Sequence, residues 1–394
     1  MVLVEGQGAD TESLTMKKLC YLINTDWYFE LHWLERAIAA QKSGFEVHLV
    51  THFEGDKVRE KLSAAGVFCH DIPLSAQSYN PASLLFSYFK ISSLLKRINP
   101  DILHCITIKA SLIGGIYSRS EHKKTVLSFV GLGRVFSFNK APLSYLRYCI
   151  IEFYKLIFRN KNVKLLFEHE EDRRELIKFT RVSPDKTLVI NGAGVNTDLF
   201  CYKNEKPHPV PVILFASRLL WSKGLTDLIK VKEQLQNEGI LCRIDVAGII
   251  TSKDADAIPL VKVKEWHDQG KINWLGQSDN VAALIAESNL VVLPSVYPEG
   301  IPRILLESSA SGRASIAYNS GGCGSLIKDG LNGYLVEKGD VDTLKERIKI
   351  LLENPLLRAE MGRQGRSVIL SEFSSELVTK KTLELYNHFF CSDM

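Results

Sequence analysis

Short apolar runs alternate with longer amphipathic ones along most of the chain. The runs Lys18–Asn24, Glu46–Thr51, Val67–Ile72, Asp101–Ile106, Thr125–Val130 and Val163–Phe167 predict strands. Between them, stretches such as Glu30–Ser43 and Leu84–Ile98 place apolar residues three and four apart, the period of a helix with one buried face. Near Asn204–Pro211 the text becomes NEKPHPVP, whose prolines fit neither a central strand nor a helix interior, so this segment reads as a linker. The alternation then restarts with Val212–Ala216, Arg243–Ala247, Ile272–Leu275, Leu290–Pro294, Ala314–Ala317 and Gly333–Val336. A helix over Val341–Glu353 and another from about Leu377 to Phe390 follow. Such alternation predicts parallel sheets covered on both faces. The expected architecture is α/β, with two Rossmann-like domains of similar size. Residues 16–203 plus a C-terminal helix near 375–391 form one, and residues 204–374 form the other.

The length of 394 residues agrees with two domains, and 45% hydrophobic against 24% charged residues is the balance of a globular protein. A net charge of +4 gives no support to nucleic-acid binding as the main activity. The eight cysteines are scattered without a C-x-x-C pair, which argues against a zinc ribbon or thioredoxin motif and suggests a cytosolic setting. No run reaches the length of a spanning helix. A dinucleotide oxidoreductase would open its first βα unit with G-x-G-x-x-G. Here the first strand runs into Asn24, Thr25, Asp26 and Trp27, and Gly131-Leu132-Gly133 lacks the third glycine.

Facing α/β sheets bind ligands at the carboxyl ends of their strands. Two segments place suitable chemistry there. EGIPRILLE, Glu299 to Glu307, follows the strand Leu290–Pro294 and enters a helix through Pro302. Backbone N–H groups near Gly300, Ile301 and Arg303 would serve as donors to a diphosphate or to sugar hydroxyls. The carboxylates of Glu299 and Glu307 suit vicinal hydroxyls. The spacing alone also fits an acidic loop with one solvated helix glutamate. The second segment, Ala216 to Gly224, carries Arg218 and Lys223 beyond a strand end. Such cations stabilise a departing diphosphate without a metal, although the pair also fits an ordinary polar loop.

Taken together these segments resemble the family 4 glycosyltransferases. The resemblance includes Asn191–Phe200, Gly321–Cys323 and Lys328–Val336, is strongest from about Pro184 to Gly333, and extends more weakly over nearly the whole chain. It implies the GT-B fold, two Rossmann-like domains facing across a cleft, with the donor on the C-terminal half and the acceptor on the N-terminal half. By the resemblance, Arg218 and Lys223 would bind the donor diphosphate, Glu307 the ribose hydroxyls and Glu299 the donor hexose. Transfer would retain anomeric configuration with no metal or other cofactor. The donor would be a UDP-sugar and the acceptor a lipid-linked, undecaprenyl-diphosphate saccharide of bacterial surface-glycan assembly. Phe29–His32 and Pro100–Lys109 look like acceptor-side loops. Two departures stand out: Val130 falls where many members carry a histidine, and Ser325 where many carry a glutamate. His32 and His104 are candidates for that missing histidine, and each also reads as a structural histidine.

Between Ser144 and Lys164, aromatic residues interleave with Arg147, Lys155, Arg159, Lys161 and Lys164. The pattern fits a peripheral contact with the inner face of a membrane, or an ordinary helix packed on its domain. Two other readings are a non-hydrolysing sugar-nucleotide epimerase and a non-catalytic sugar-nucleotide-binding component of a glycan assembly complex.

Overall fold

A computed structural model describes residues 16–72, 81–132, 136, 143–250, 254–297 and 300–391. The first half contains strands β1 (Lys17–Leu22), β2 (Phe45–Thr51), β3 (Phe68–Asp71), β4 (Ile102–Ile106), β5 (Lys124–Phe129), β6 (Val163–Phe167) and β7 (Thr187–Val189). They form one parallel sheet in the order β3-β2-β1-β4-β5-β6-β7. The second half contributes β8 (Val212–Ala216), β9 (Arg243–Ala247), β10 (Asn273–Gly276), β11 (Leu290–Leu293), β12 (Ser315–Tyr318) and β13 (Gly333–Val336). These pair in parallel in the order β10-β9-β8-β11-β12-β13. Each order reverses direction at its first strand, β1/β4 and β8/β11, which opens a crevice at the carboxyl edge. The fold is GT-B.

Helices α1 (Asp26–Lys42), α2 (Asp56–Ala64), α3 (Pro81–Ile98), α4 (Ile108–Glu121), α5 (Leu143–Phe158) and α6 (Glu170–Thr180) accompany the first sheet. One of its faces packs on α3 to α6 through Ile91, Leu95, Ile113, Tyr154 and Leu176. The other packs on α1 and α2 through Phe29, Trp33, Ala37 and Leu62. The second half carries α7 (Leu225–Asn237), α8 (Leu260–Asp268), α9 (Val281–Ala286), α10 (Arg303–Ala310), α11 (Cys323–Leu326), α12 (Val341–Glu353) and α13 (Pro355–Val368). Their apolar faces and both faces of the second sheet make a separate core.

Strand boundaries match the apolar runs to within a residue or two, with one addition. The three-residue β7 is too short and too exposed to announce itself by pattern. Helix α13 is likewise absent from the sequence-based expectation. Its Gly362 and Gly365 depress helix propensity, yet a Cβ at 362 would stand 2.0 Å from the Gly312 carbonyl oxygen, so close backbone packing requires a glycine there.

The chain returns to the first half at its end. Val195 N–H donates to the Phe373 carbonyl at 3.0 Å, and Ser375 N–H to the Val195 carbonyl at 2.9 Å. Beyond this crossing, α14 (Ser375–Cys391) lays Val378, Leu385, Tyr386 and Phe389 into the core that holds α1. The Tyr386 hydroxyl meets Tyr21 Oη at 3.0 Å and His104 Nδ1 at 2.6 Å, and His104 Nε2 meets Ser128 Oγ at 2.6 Å. Linker residue Glu205 is held by Arg358, whose Nε lies 2.8 Å from Oε2, and by Asn289 at 2.7 Å.

Replacing fully buried Tyr386 by alanine is expected to cost roughly 3–5 kcal/mol, because a cavity forms and two buried polar partners lose their bond. Tyr386→Phe should cost about 1–2 kcal/mol, since only the hydroxyl is lost. Urea unfolding of the two variants measures the difference.

Candidate active site

A cavity of about 320 Å³ lies between the halves. Arg218, Lys223, Tyr297, Gly300, Ile301 and Arg303 line it from the second half, and Tyr28, His32, Val130 and Glu168 from the first. Each wall is built from loops at strand carboxyl ends and from helix starts.

Arg218 follows β8 and is 46% exposed at its side chain, with Nη1 4.0 Å from Asp254. Lys223 ends the single 3-10 turn Trp221–Lys223 and is buried. The turn is laced to its surroundings: Trp221 N–H donates to the Asp256 carbonyl at 2.9 Å, and Val296 N–H to the Ser222 carbonyl at 2.9 Å. Gly224 then takes φ +80°, and a Cβ there would stand 1.9 Å from the Pro294 carbonyl oxygen. Only glycine admits both the left-handed backbone and this approach. The two predicted cations therefore share one wall of the cavity.

Pro302 caps α10, and Glu307 lies just over one turn into the helix. Glu307 is buried, which pushes its carboxyl above the usual range, while Arg303 opposes that rise. Arg303 Nε donates to Glu307 Oε1 at 3.1 Å, and its Nη1 donates to the Leu31 carbonyl of α1 at 2.5 Å. One side chain thus joins the predicted ribose carboxylate to the opposite half. The Ile301 N–H, expected to serve a diphosphate or sugar, lies beside the Glu168 carboxylate and favours its ionised form. The Gly300 carbonyl accepts from Gly322 N–H at 3.2 Å, which ties this loop to the start of α11. Glu299 lies outside the described residues.

The two segments read as acceptor-side loops are mostly regular structure; only Pro100, Asp101 and Thr107 lie outside a strand or helix. Phe29–His32 falls within α1, because Phe29 and Trp33 at i and i+4 bury on the sheet. His104 sits inside β4 and is fully buried between Tyr386 and Ser128, so it is structural; burial holds its imidazole well below the usual range. His32 does reach the cavity, stacked on Tyr28 with ring centroids 4.1 Å apart. Burial, then Arg303 and Arg36, lower its pKa to about 3, so the ring is neutral at physiological pH. Val130 lines the cavity beside Gly131. Among the described residues no cluster of His, Cys, Asp or Glu has metal-ligand geometry, and no helix is long and apolar enough to cross a membrane.

Glu168 was not singled out from the sequence. It follows β6 directly, and a carboxylate just past an apolar run at the carboxyl edge of a parallel sheet is the signal that points to it. Burial pushes its pKa up to about 7 against the pull of Arg36 and His169.

Residues 196–368 match the glycosyl transferases group 1 family model, and residues 18–167 match the glycosyl transferase 4-like model. The chain belongs to the family 4 glycosyltransferases. Among its relatives is the N,N'-diacetylbacillosaminyl-diphospho-undecaprenol alpha-1,3-N-acetylgalactosaminyltransferase of Campylobacter jejuni. The two are 24% identical over 84% of this chain and 89% of that protein. The capsular polysaccharide biosynthesis glycosyltransferase CapM of Staphylococcus aureus is 22% identical over 89% of this chain and 91% of its own. Among solved structures, a glycosyltransferase from Rickettsia africae superposes with a TM-score of 0.76 at 21% identity, covering 95% of this chain and 98% of that one. Anabaena HepE with UDP-glucose reaches 0.73 at 18% identity, covering 94% and 99%.

In this glycosyltransferase, Gly224→Ala should destabilise by roughly 3 kcal/mol or more through the collision with Pro294. Gly239→Ala is the control: it has the same φ of +80° with nothing within 4 Å of its Cβ, and should cost about 1 kcal/mol. Denaturant unfolding of both variants gives the comparison.

Proposed function

We propose that this enzyme is a retaining transferase that moves a hexose or N-acetylhexosamine from a UDP-sugar to a lipid-linked, undecaprenyl-diphosphate saccharide in bacterial surface-polysaccharide synthesis. The observation that carries the reading is the convergence of Arg218, Lys223 and the Gly300–Arg303 segment on one cavity, with Glu307 joined to that segment through Arg303. A nucleoside diphosphate gains negative charge as its bond to the sugar breaks, and fixed cations stabilise that charge more than they stabilise the ground state. Arg218 can take a phosphate by two parallel hydrogen bonds and Lys223 as a point charge. Glu307 accepts the ribose hydroxyls once Arg303 turns from it, and Glu299 holds the hexose.

In the reaction the anomeric carbon loses its bond to the diphosphate oxygen and gains one to the acceptor oxygen on the same face. The acceptor proton passes to the departing phosphate oxygen, so no protein base and no metal is needed. The UDP-glucose complex of HepE supports a UDP-sugar donor, and the undecaprenol-linked substrate in the Campylobacter relative's name supports the acceptor class.

A lipid-linked acceptor calls for contact with a membrane, at its cytoplasmic face. Helix α5 buries Ile150, Ile151, Tyr154 and Ile157 on the core, as an ordinary packed helix does. Its outer face nonetheless exposes Tyr145, Tyr148, Phe153 and Leu156. Leu85, Phe86 and Phe89 of α3 are also exposed, and both helices pack on α4. Aromatic groups beside Lys90, Lys155 and Arg159 suit the headgroup layer of an anionic bilayer.

Purified enzyme supplied with UDP-sugars and a synthetic lipid-diphosphate saccharide should yield a product heavier by one sugar, read by mass. Lys223→Ala should lower kcat by about 100-fold or more, and Glu307→Ala should raise KM for the donor by roughly tenfold. Turnover of the UDP-sugar with no acceptor present would instead favour an epimerase on the same fold. In a separate sedimentation assay with phosphatidylglycerol vesicles, changing Tyr145, Tyr148 and Phe153 together to serine should release at least about five times more protein to the supernatant.

A further inference from the structure

The first half contributes an ionisable group to the cavity that none of the roles above uses. Glu168 is 7% exposed at the carboxyl end of β6, and among the described residues its Oε1 accepts no hydrogen bond. The Ile301 N–H lies across the cleft from the carboxylate and favours its ionised form. A Cβ at Gly300 would lie 2.6 Å from Glu168 Oε2 and 3.2 Å from the Val130 carbonyl oxygen, so Gly300, Val130 and the carboxyl meet in one place. Arg36 of α1 is the cation that acts most strongly on the carboxylate, with weaker effects from His169 and Asp172 at the start of α6. A buried carboxyl oxygen without a donor is costly, and such atoms in native proteins commonly serve a ligand.

We propose that Glu168 is a specificity residue for the transferred sugar, and that its free oxygen hydrogen-bonds one sugar hydroxyl. The inference rests on the donor site described above. With the diphosphate at Arg218 and Lys223, the sugar extends along the same cavity toward the Gly300–Ile301 loop, which is the loop Glu168 touches. Val130 presents its backbone carbonyl at that corner and packs on the core, so Glu168, just past the neighbouring strand, supplies the polar side chain there. Carboxyl oxygens bind sugar hydroxyls in either protonation state, as acceptor when ionised and as donor or acceptor when neutral. Because Glu168 belongs to one half and Ile301 to the other, the contact also couples sugar recognition to the fit between the halves.

Calorimetric titration of the wild type, Glu168→Ala and Glu168→Gln with UDP, UDP-glucose and UDP-N-acetylgalactosamine tests the assignment. It is repeated with analogues of the tighter-binding UDP-sugar that each lack one sugar hydroxyl. UDP affinity should stay within about twofold in all three proteins, while Glu168→Ala weakens the UDP-sugar about tenfold and Glu168→Gln at most about threefold. One deoxy position should lose its penalty in Glu168→Ala and have it altered in Glu168→Gln. If the alanine variant does not fold, the change in that single penalty between wild type and Glu168→Gln decides. Equal weakening of UDP and UDP-sugar, or deoxy penalties unchanged by either substitution, overturns the assignment to Glu168 while leaving the donor site intact. Failure of the wild type to bind UDP or either UDP-sugar overturns the donor-site reading and this inference with it.

Discussion

The seam between the Gly300–Arg303 segment and the first half is the contact on which the site depends. It consists of the Arg303 guanidinium to the Leu31 carbonyl and the backbone of Gly300 set against the Glu168 carboxylate and the Val130 carbonyl, with the Ile301 N–H beside that carboxylate. Each of these needs the two sheets to present their carboxyl edges to one another. The same seam positions the start of α10, and with it Glu307. A side chain at position 300 would have to displace the Glu168 carboxylate and would crowd the Val130 carbonyl.

Burial sets the electrostatics of this seam. Glu168 and Glu307 are both pushed above the usual carboxylate range because they have lost water, and in each case an arginine limits the rise. Arg303 serves Glu307, and Arg36 serves Glu168. Arg36 is itself anchored by a 2.7 Å bond to the Gly192 carbonyl and lies over the Trp33 ring. The cavity therefore sets the cations Arg218, Lys223 and Arg303 against the Glu168 carboxyl, with the buried groups held in place by the protein, so a polar ligand replaces water there at little reorganisation cost.

Much of the architecture was legible from local pattern. Buried parallel strands are continuous apolar runs, and Val163–Phe167, Val212–Ala216, Arg243–Ala247 and Gly333–Val336 form over the residues their sequence predicts. Helix α13 was hidden because its glycines, chosen for backbone contact with Gly312, obscure its own propensity. Phe29–His32 read as a loop only through the resemblance; the helical period already runs from Glu30, and the helix itself starts four residues earlier, at Asp26. Arg218, Lys223 and Glu307 were legible because short loops at strand ends and helix starts carry them, so their neighbourhood follows from spacing. Glu168 was not, because its importance comes from the residues facing it, more than 100 positions away in the chain.

By itself the sequence determined the layered α/β class and the restart of the strand–helix alternation after Asn204–Pro211, which follow from periodicity, and its motifs carried the resemblance to the family. Only the tertiary structure decided that His104 is a core residue, that His32 is a neutral ring in the cavity wall, and that Arg303 bridges the halves. It alone brought the Glu168 carboxylate to the Gly300–Ile301 backbone. The reason is desolvation and distance: whether a polar group is structural or available depends on which distant backbone closes over it, and no local pattern encodes that.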